Sequence, residues 1–434
     1  MKIKHIITIY AALTAISTNV DAQDATMLQA YRRQVEAYSH DVKVATHALE
    51  VYKENAAAAK ADLKPKITGN ADAKYTGNPL ELNIALPGTD GGRSYTFSGR
   101  NTKYGASLTM AQPIYTGGLL KASYGKAKAE SENAAFEKKR ITNTLIYQAD
   151  QTYWNYVATR EMVTVAQRHR DAAAALAEAV ALRVSNGYTG RNDLLTAEVR
   201  LNDAEYQLQR ALTDAENARL ALNSLAGVGS SDMIPADTML CPDTTIPSTG
   251  QSIYNRPEMA MASKQVDIKG YEARMADAAY KPNLSVGING SYTSPGYDFR
   301  AAPDPNYSVY ATLSIPIFEW GKRGNTRRMG KHATAVAEEQ MRSTADRLQL
   351  EAETARCNYT KACEQVKLTA SSLLKAEESR RLTTEKYYEG SVSVTDVINA
   401  QIYYLDACRN HIASKLDACM AKSSLEYVYG LSLI

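Results

Sequence analysis

Residues 183–197 read RVSNGYTGRNDLLTA, and residues 386–400 read KYYEGSVSVTDVINA. Each stretch has a cation, a glycine four positions later, and then Asp, two aliphatic residues, a variable position and Ala. The first set is Arg183, Gly187, Asp193, Leu194, Leu195 and Ala197; the second is Lys386, Gly390, Asp396, Val397, Ile398 and Ala400. The two sets are offset by 203 residues. Pro113-Ile114-Tyr115 and Pro316-Ile317-Phe318 keep that offset, as do Leu225-Ala226-Gly227 and Val428-Tyr429-Gly430. A constant offset across separate landmarks is the mark of an internal repeat. Lys64-Pro65-x-Ile67 also matches Lys281-Pro282-x-Leu284, but at an offset of 217, so the first copy carries extra residues before Pro113, in a loop.

The glycines set the local structure. Gly supplies the positive φ that ends a helix, and Ser393-x-x-Asp396 has capping-box spacing for starting another. Gly187 and Gly190, and Gly390 followed by Ser393, therefore predict a tight turn between two helices in each copy. The flanking sequence agrees, because the 13 prolines leave residues 114–234 and 317–434 free of proline. Apolar or small residues recur from Leu194 to Leu225 at spacings of three and four, a heptad seam with Ala at half its positions. The second copy repeats the register from Val397 to Val428. A helix from 118 to 186 would be roughly 100 Å long at ~1.5 Å per residue. That length disfavours a compact α/β enzyme.

Outside the helical blocks the period changes to two. Ile67, Gly69, Ala71, Ala73 and Tyr75 alternate with Lys66, Thr68, Asn70, Asp72 and Lys74, and three further runs, ending at Met110, Tyr292 and Ile315, behave alike. Tyr310 is the one aromatic on a polar face. Runs of about ten residues with one apolar face suit tilted strands in a bilayer. Four strands cannot close a barrel, since the smallest membrane barrels have ~8, so subunits must share one. The expected elements are strands at about 65–76, 104–115, 282–293 and 306–316, loops at 77–103 and 294–306, and helical hairpins at about 117–227 and 320–430.

Composition narrows the compartment. A basic start, an apolar run from Ile6 to Ile16 and Val20-Asp21-Ala22 predict a secretory signal cut after Ala22. The organisation is then signal 1–22, first repeat 23–230, a proline-containing linker at 231–256, and second repeat 257–434. With 50 basic and 47 acidic residues, nothing suggests nucleic acid as a partner. Five cysteines and six histidines form no CxxC or HExxH pattern, so no metal or other cofactor is expected, and no nucleophile and base suggest an enzyme. Cys363 and Cys419 lie level in a hairpin turning near residue 391, which makes them either a disulfide or two buried thiols.

These features, in this order, resemble the outer-membrane efflux (TolC-like) family across essentially the whole mature chain. The Pro-Ile-Tyr/Phe junctions, Asn255-Arg256-Pro257-Glu258 and the two tips carry the resemblance. It implies a homotrimer whose twelve strands make one barrel in outer-membrane lipid, continued by a periplasmic helical barrel. It also implies a passive duct docked on a periplasmic adaptor (membrane fusion protein) and an inner-membrane pump, for efflux or type I secretion. The tips, with Arg183, Gly187, Gly190, Asp193, Lys386, Gly390 and Ser393, would carry docking. The pore constriction would lie at Asp396. A second acidic ring of the family falls here on Asn399, and a basic latch position is Val392.

Each residue has a plainer alternative. Arg183 and Lys386 are well placed beside helix C-termini, Asp193 and Asp396 can simply begin helices, and Lys322, Arg323, Arg327, Arg328 and Lys331 can be a solvated face. His411, at a seam position, reads as a hydrogen-bonded core residue. The competing reading of the whole is a soluble periplasmic coiled-coil adaptor or scaffold with a small β-domain.

Overall fold

The computed structural model describes residues 27–79, 81–85, 94–232, 234–237, 253–295 and 302–430. The expected signal segment, Cys241 and most of the linker lie outside these. The chain divides into two compact units. One comprises Met1–His47, Phe136–Met261 and Arg342–Ile434, the other Ala48–Ala135 and Ala262–Met341.

The elements are α1 (Met27–Tyr38), α2 (His40–Ala61), β1 (Lys66–Tyr75), β2 (Glu81–Ala85), β3 (Ser94–Ser98), β4 (Thr102–Thr116), α3 (Leu119–Ser185), α4 (Arg191–Ala226), α5 (Pro257–Ala278), β5 (Asn283–Ser294), β6 (Asp304–Ser314), α6 (Lys322–Tyr388) and α7 (Val394–Val428). The four expected long strands and both helical hairpins are present. Two differences stand out. A helical segment precedes each strand pair (α1 and α2, then α5), and residues 77–103, expected as a loop, contain the β2–β3 ladder, Glu81 opposite Ser98 through Ala85 opposite Ser94. Leu82 and Ile84, with Tyr95 and Phe97, already alternate in sequence; the glycines and prolines around them masked the period. Residues 86–93 of that segment lie outside the described residues.

In the second unit β1, β4, β5 and β6 form one antiparallel sheet in that order. Residues directly opposite one another share a face, so the register tests the alternation. Ile67 pairs with Met110, Met110 with Ile288 and Ile288 with Val309; Ala71 pairs with Ala106 and Ala106 with Tyr292. The four apolar faces are therefore one face, and Ile67, Leu108, Met110, Ile288, Tyr292 and Val309 are exposed on it. Thr68, Thr109, Asn289 and Ser308 lie level on the other. Tyr310, the sequence exception, stands over Gly287, where a Cβ would meet its ring at 2.4 Å.

The register also sorts the ends. Lys66 is level with Ala111, Thr116 with Asn283 and Asn283 with Ser314, so all four helix–strand junctions leave one end of the sheet. Tyr75 opposite Thr102 and Thr293 opposite Asp304 put both turns at the other. At the junctions Asp277 receives Arg327 at 2.8 Å and Lys281 at 3.0 Å, with Arg323 at 3.8 Å. Part of the basic cluster is thus anchored, and chiefly the Arg327 hydrogen bond holds the Asp277 carboxyl below its usual range.

The helical unit buries its seams. Ala197, Ala204, Ala211 and Ala218 of α4 are buried, as are Val397, Ala400, Ser414 and Ala418 of α7. A core around Tyr31, Val35, Ala149, Tyr153, Val157 and Leu222 ties α1 to α3 and α4. Its aromatic hydroxyls are satisfied: Tyr31 donates to the Leu222 carbonyl at 3.1 Å and Tyr153 to Asp237 at 2.8 Å. Burial pushes both phenols up. Among the described residues two arginines are buried, Arg32 in the first repeat and Arg256 just ahead of the second. Arg32 grips the fully buried Asp150 through Nε and Nη2 at 2.7 and 2.6 Å. Arg256, 3% exposed, holds Glu258 and Glu351 at 2.8 and 2.6 Å and stands over the Tyr427 ring. His411 sits in the seam as expected, its Nδ1 at 3.1 Å from Thr369 Oγ1. Cys363 and Cys419 are separate buried thiols in different clusters, which removes the disulfide alternative.

Candidate functional site: the paired hairpin tips

The same geometry closes both helical hairpins. Gly187 has φ 73° and Gly390 φ 80°. At the first tip the Tyr188 N–H donates to the Arg183 carbonyl at 2.8 Å, and Gly187 N–H to Val184 at 3.0 Å. At the second, Ser391 donates to Lys386 at 2.9 Å and Gly390 to Tyr387 at 3.0 Å. This six-to-one plus five-to-two pair is the Schellman arrangement, in which a left-handed glycine lets the last carbonyls of the helix find donors. The cation four residues before each glycine supplies the six-to-one carbonyl.

The restarting helices differ. The N-cap of α4 is Gly190, which has no side chain to cap the helix; Asp193 instead accepts a short hydrogen bond from the Thr189 hydroxyl. α7 begins with a full capping box. Ser393 Oγ accepts from the Asp396 N–H at 3.3 Å, and Asp396 Oδ2 accepts from the Ser393 N–H at 3.0 Å and from its hydroxyl at 2.7 Å. The hydroxyl hydrogen bond first, then the backbone one, lowers the Asp396 carboxyl below its ordinary value. Asp396 and Asn399 are both exposed, one turn apart. A capping bond and an exposed charge coexist on Asp396.

Arg183 is the residue that joins the two tips. Its Nη2 donates to the Tyr388 carbonyl at 2.9 Å, and its guanidinium lies 4.4 Å from the centre of the Tyr387 ring. Lys386, its repeat mate, is exposed. Beneath them Leu176, Val180, Ala197, Tyr387, Val394, Val397 and Ile398 form one cluster. A cleft of about 550 Å³ between the tips is bordered by Arg183, Tyr188, Asp193, Tyr388, Val392 and Ser393. The structure thus assembles Arg183, Gly187, Asp193, Gly390 and Ser393 at one end of the helical unit. Sequence reasoning missed Tyr387 and Tyr388, which make the tip-to-tip contact. Their only signal was two adjacent tyrosines beside the Lys386 position.

Comparison with known proteins agrees with this architecture. The family model described as outer membrane efflux protein matches residues 31–228 and 249–430. The pyoverdine export outer membrane protein OpmQ of Pseudomonas putida is 22% identical over 307 residues, covering 69% of this chain and 63% of that protein. The cobalt-zinc-cadmium resistance protein CzcC of Cupriavidus metallidurans is 22% identical over 387 residues, covering 87% and 86%. In three dimensions the chain resembles the solved structure of CusC, with a TM-score of 0.79 at 15% identity over 94% of this chain and 92% of that one. The soluble scaffold reading is not favoured by any of these.

Proposed function

The chain belongs to the outer membrane efflux protein family, and from that premise we propose that three copies form one export duct whose paired tips dock a periplasmic adaptor and, through it, an inner-membrane pump. The family consists of channel proteins rather than enzymes. It places the chain in the outer membrane with a periplasmic extension, and no described helix is long and apolar enough to cross a bilayer, so the membrane part falls to the strands.

The observation that carries the reading is the four-stranded sheet. Among the described residues its two edges, β1 and β6, have no further strand beside them, and one face is apolar and largely exposed. Lipid tolerates no open edge, and four strands are half of the ~8 that the smallest barrels need. Pairing β6 of each copy with β1 of the next closes the ring and turns that face to lipid. Three copies give twelve strands.

Within the helical unit the tips are mutually braced and partly exposed, which suits a docking surface. The constriction is assigned to the Asp396 ring, with Asn399 one turn further on. The relatives' names refer to pyoverdine and to metal ions, which favours efflux of small solutes over polypeptide secretion.

Fractionation and insertion test this together. The protein should run as a heat-modifiable trimer from outer membranes, and two residues inserted after Gly187 or Gly390 should leave that trimer intact while abolishing export. Release by osmotic shock would refute the duct. Loss of the trimer on insertion would place the tips in assembly instead of docking.

A further inference from the structure

α7 differs from its repeat mate in a way the duct does not require. α4 buries essentially one seam. α7 buries a second one, running Ile398, Gln401, Leu405, Cys408, Ile412, Lys415 and Cys419, again at spacings of three and four. Two polar residues interrupt it. Lys415 is matched by Glu161 at 2.5 Å. Gln401, 8% exposed, has no side-chain hydrogen bond among the described residues.

The Gln401 side chain borders a cavity of about 240 Å³ between α3, α6 and α7, whose other polar walls are Arg168, His169, Arg380 and Tyr404. All of it lies within the helical unit. Neither Arg168 nor Arg380 is ion-paired among the described residues, and the buried Nε of Arg380 has no hydrogen-bond acceptor. The Arg380 guanidinium lies over the Tyr404 ring, 4.8 Å from its centre. Among the described residues no carboxylate lines the cavity. Glu377 and Asp203, the acids acting on Cys408 and His169, are exposed, and Arg409 adds further positive charge while bound to Gln207 at 2.6 Å. Burial and Arg409 both push His169 toward its neutral form.

Arg168 is exposed and Arg380 half-buried, but the Arg380 Nε is buried, and a buried donor without an acceptor is costly unless something supplies the missing oxygen. The walls offer two guanidinium forks, an amide and a phenol, with an imidazole beside them. That set has donors in excess and matches a planar or tetrahedral oxyanion, for which arginine forks are well shaped. A cation or an apolar solute would leave these donors unanswered.

We propose that this cavity is an anion site, in which Arg168, Arg380 and Gln401 grip a carboxylate or phosphate group. The oxyanion can be a small free solute or a carboxylate side chain of a neighbouring copy. The site is separate from the tips and does not depend on adaptor docking.

The test uses the full chain in detergent, titrated calorimetrically with citrate and with inorganic phosphate at fixed ionic strength. For a free ligand, citrate or phosphate binds, and Arg380→Gln or the more exposed Arg168→Gln weakens it about tenfold or more. Gln401→Glu, which supplies its own carboxylate, abolishes binding and raises the melting temperature. If the neighbour's carboxylate fills the site, the unaltered protein binds neither anion, and Arg168→Gln, Arg380→Gln and Gln401→Glu all lower the temperature at which the oligomer separates. The proposal is overturned if binding survives both arginine substitutions. It is equally overturned if neither anion binds and the oligomer of each variant separates at the original temperature.

Discussion

Asp396 carries two assignments, helix cap and pore charge, and the geometry lets them be separated by two substitutions. Asp396→Asn keeps an oxygen for the Ser393 N–H and leaves its own N–H on Ser393 Oγ, so the capping box survives while the charge goes. Ser393→Ala does the reverse: the carboxylate stays and the side-chain cap is lost. Removing a serine cap costs about 1 kcal/mol, which at RT of about 0.59 kcal/mol is roughly a fivefold rise in local opening. Hydrogen exchange in a peptide spanning residues 394–398 should therefore quicken about fivefold in Ser393→Ala, and change little in Asp396→Asn. Planar-bilayer recordings should give the opposite ranking: cation selectivity and block by trivalent cations fall in Asp396→Asn and persist in Ser393→Ala, because a ring of carboxylates concentrates cations in a narrow passage. Unchanged selectivity in Asp396→Asn would refute the constriction. Equal selectivity loss in both variants would mean that the turn's shape, and not its charge, sets selectivity.

Other expectations follow from buried charge and from the tips. Asp150→Ala leaves Arg32 buried without its main partner and should cost about 3–5 kcal/mol in denaturant unfolding, whereas replacing Arg32 and Asp150 together by Met and Leu should recover most of it. Burial depresses His169 and His411 in the folded state, with Arg409 and Lys415 respectively adding to the effect. The unfolded chain therefore binds protons first: stability is full above about pH 6.5, falls as the pH drops below it, and levels off once the folded histidines also protonate. Melting curves of a His169→Gln, His411→Gln double variant should lose that part of the acid slope. Arg183→Gln should loosen the tips by about 1 kcal/mol through the lost Tyr388 hydrogen bond and Tyr387 stacking, measured by local exchange. The exposed Lys386→Gln should leave tip exchange unchanged and weaken only adaptor cross-linking.

What the sequence disclosed is what repeats with a simple period. The tips were legible because a left-handed glycine, a cation and an Asp recur at fixed spacing, and the sheet because its four alternating runs fall on one face in the observed register. α1, α2 and α5 had a weaker signal because they are short segments, ending before Pro65 and Pro282, outside the two long proline-free blocks. Pro257 followed by Glu258 was a readable helix start, since proline is pre-organised for the first helical position. Other features had no local signal at all. Arg32 and Asp150 meet across 118 residues, and Arg183 finds a ring and a carbonyl at the other tip. The second seam of α7 was readable as a period, but nothing in it distinguishes Lys415, which finds Glu161, from Gln401, which finds a cavity.

The sheet register has a consequence for how such a molecule can be made. Four strands are an even number, so in the proposed duct the chain's excursion through the bilayer is a round trip, and every helix–strand junction lies at the end where the excursion began. Nothing bulky has to be pulled across. The helices can fold in water as soon as the chain is exported, and only the two strand-to-strand connections, the first carrying the β2–β3 ladder, need reach the far side. The bare apolar face is then a temporary liability of the unassembled chain, and insertion, which covers that face, can be the last step.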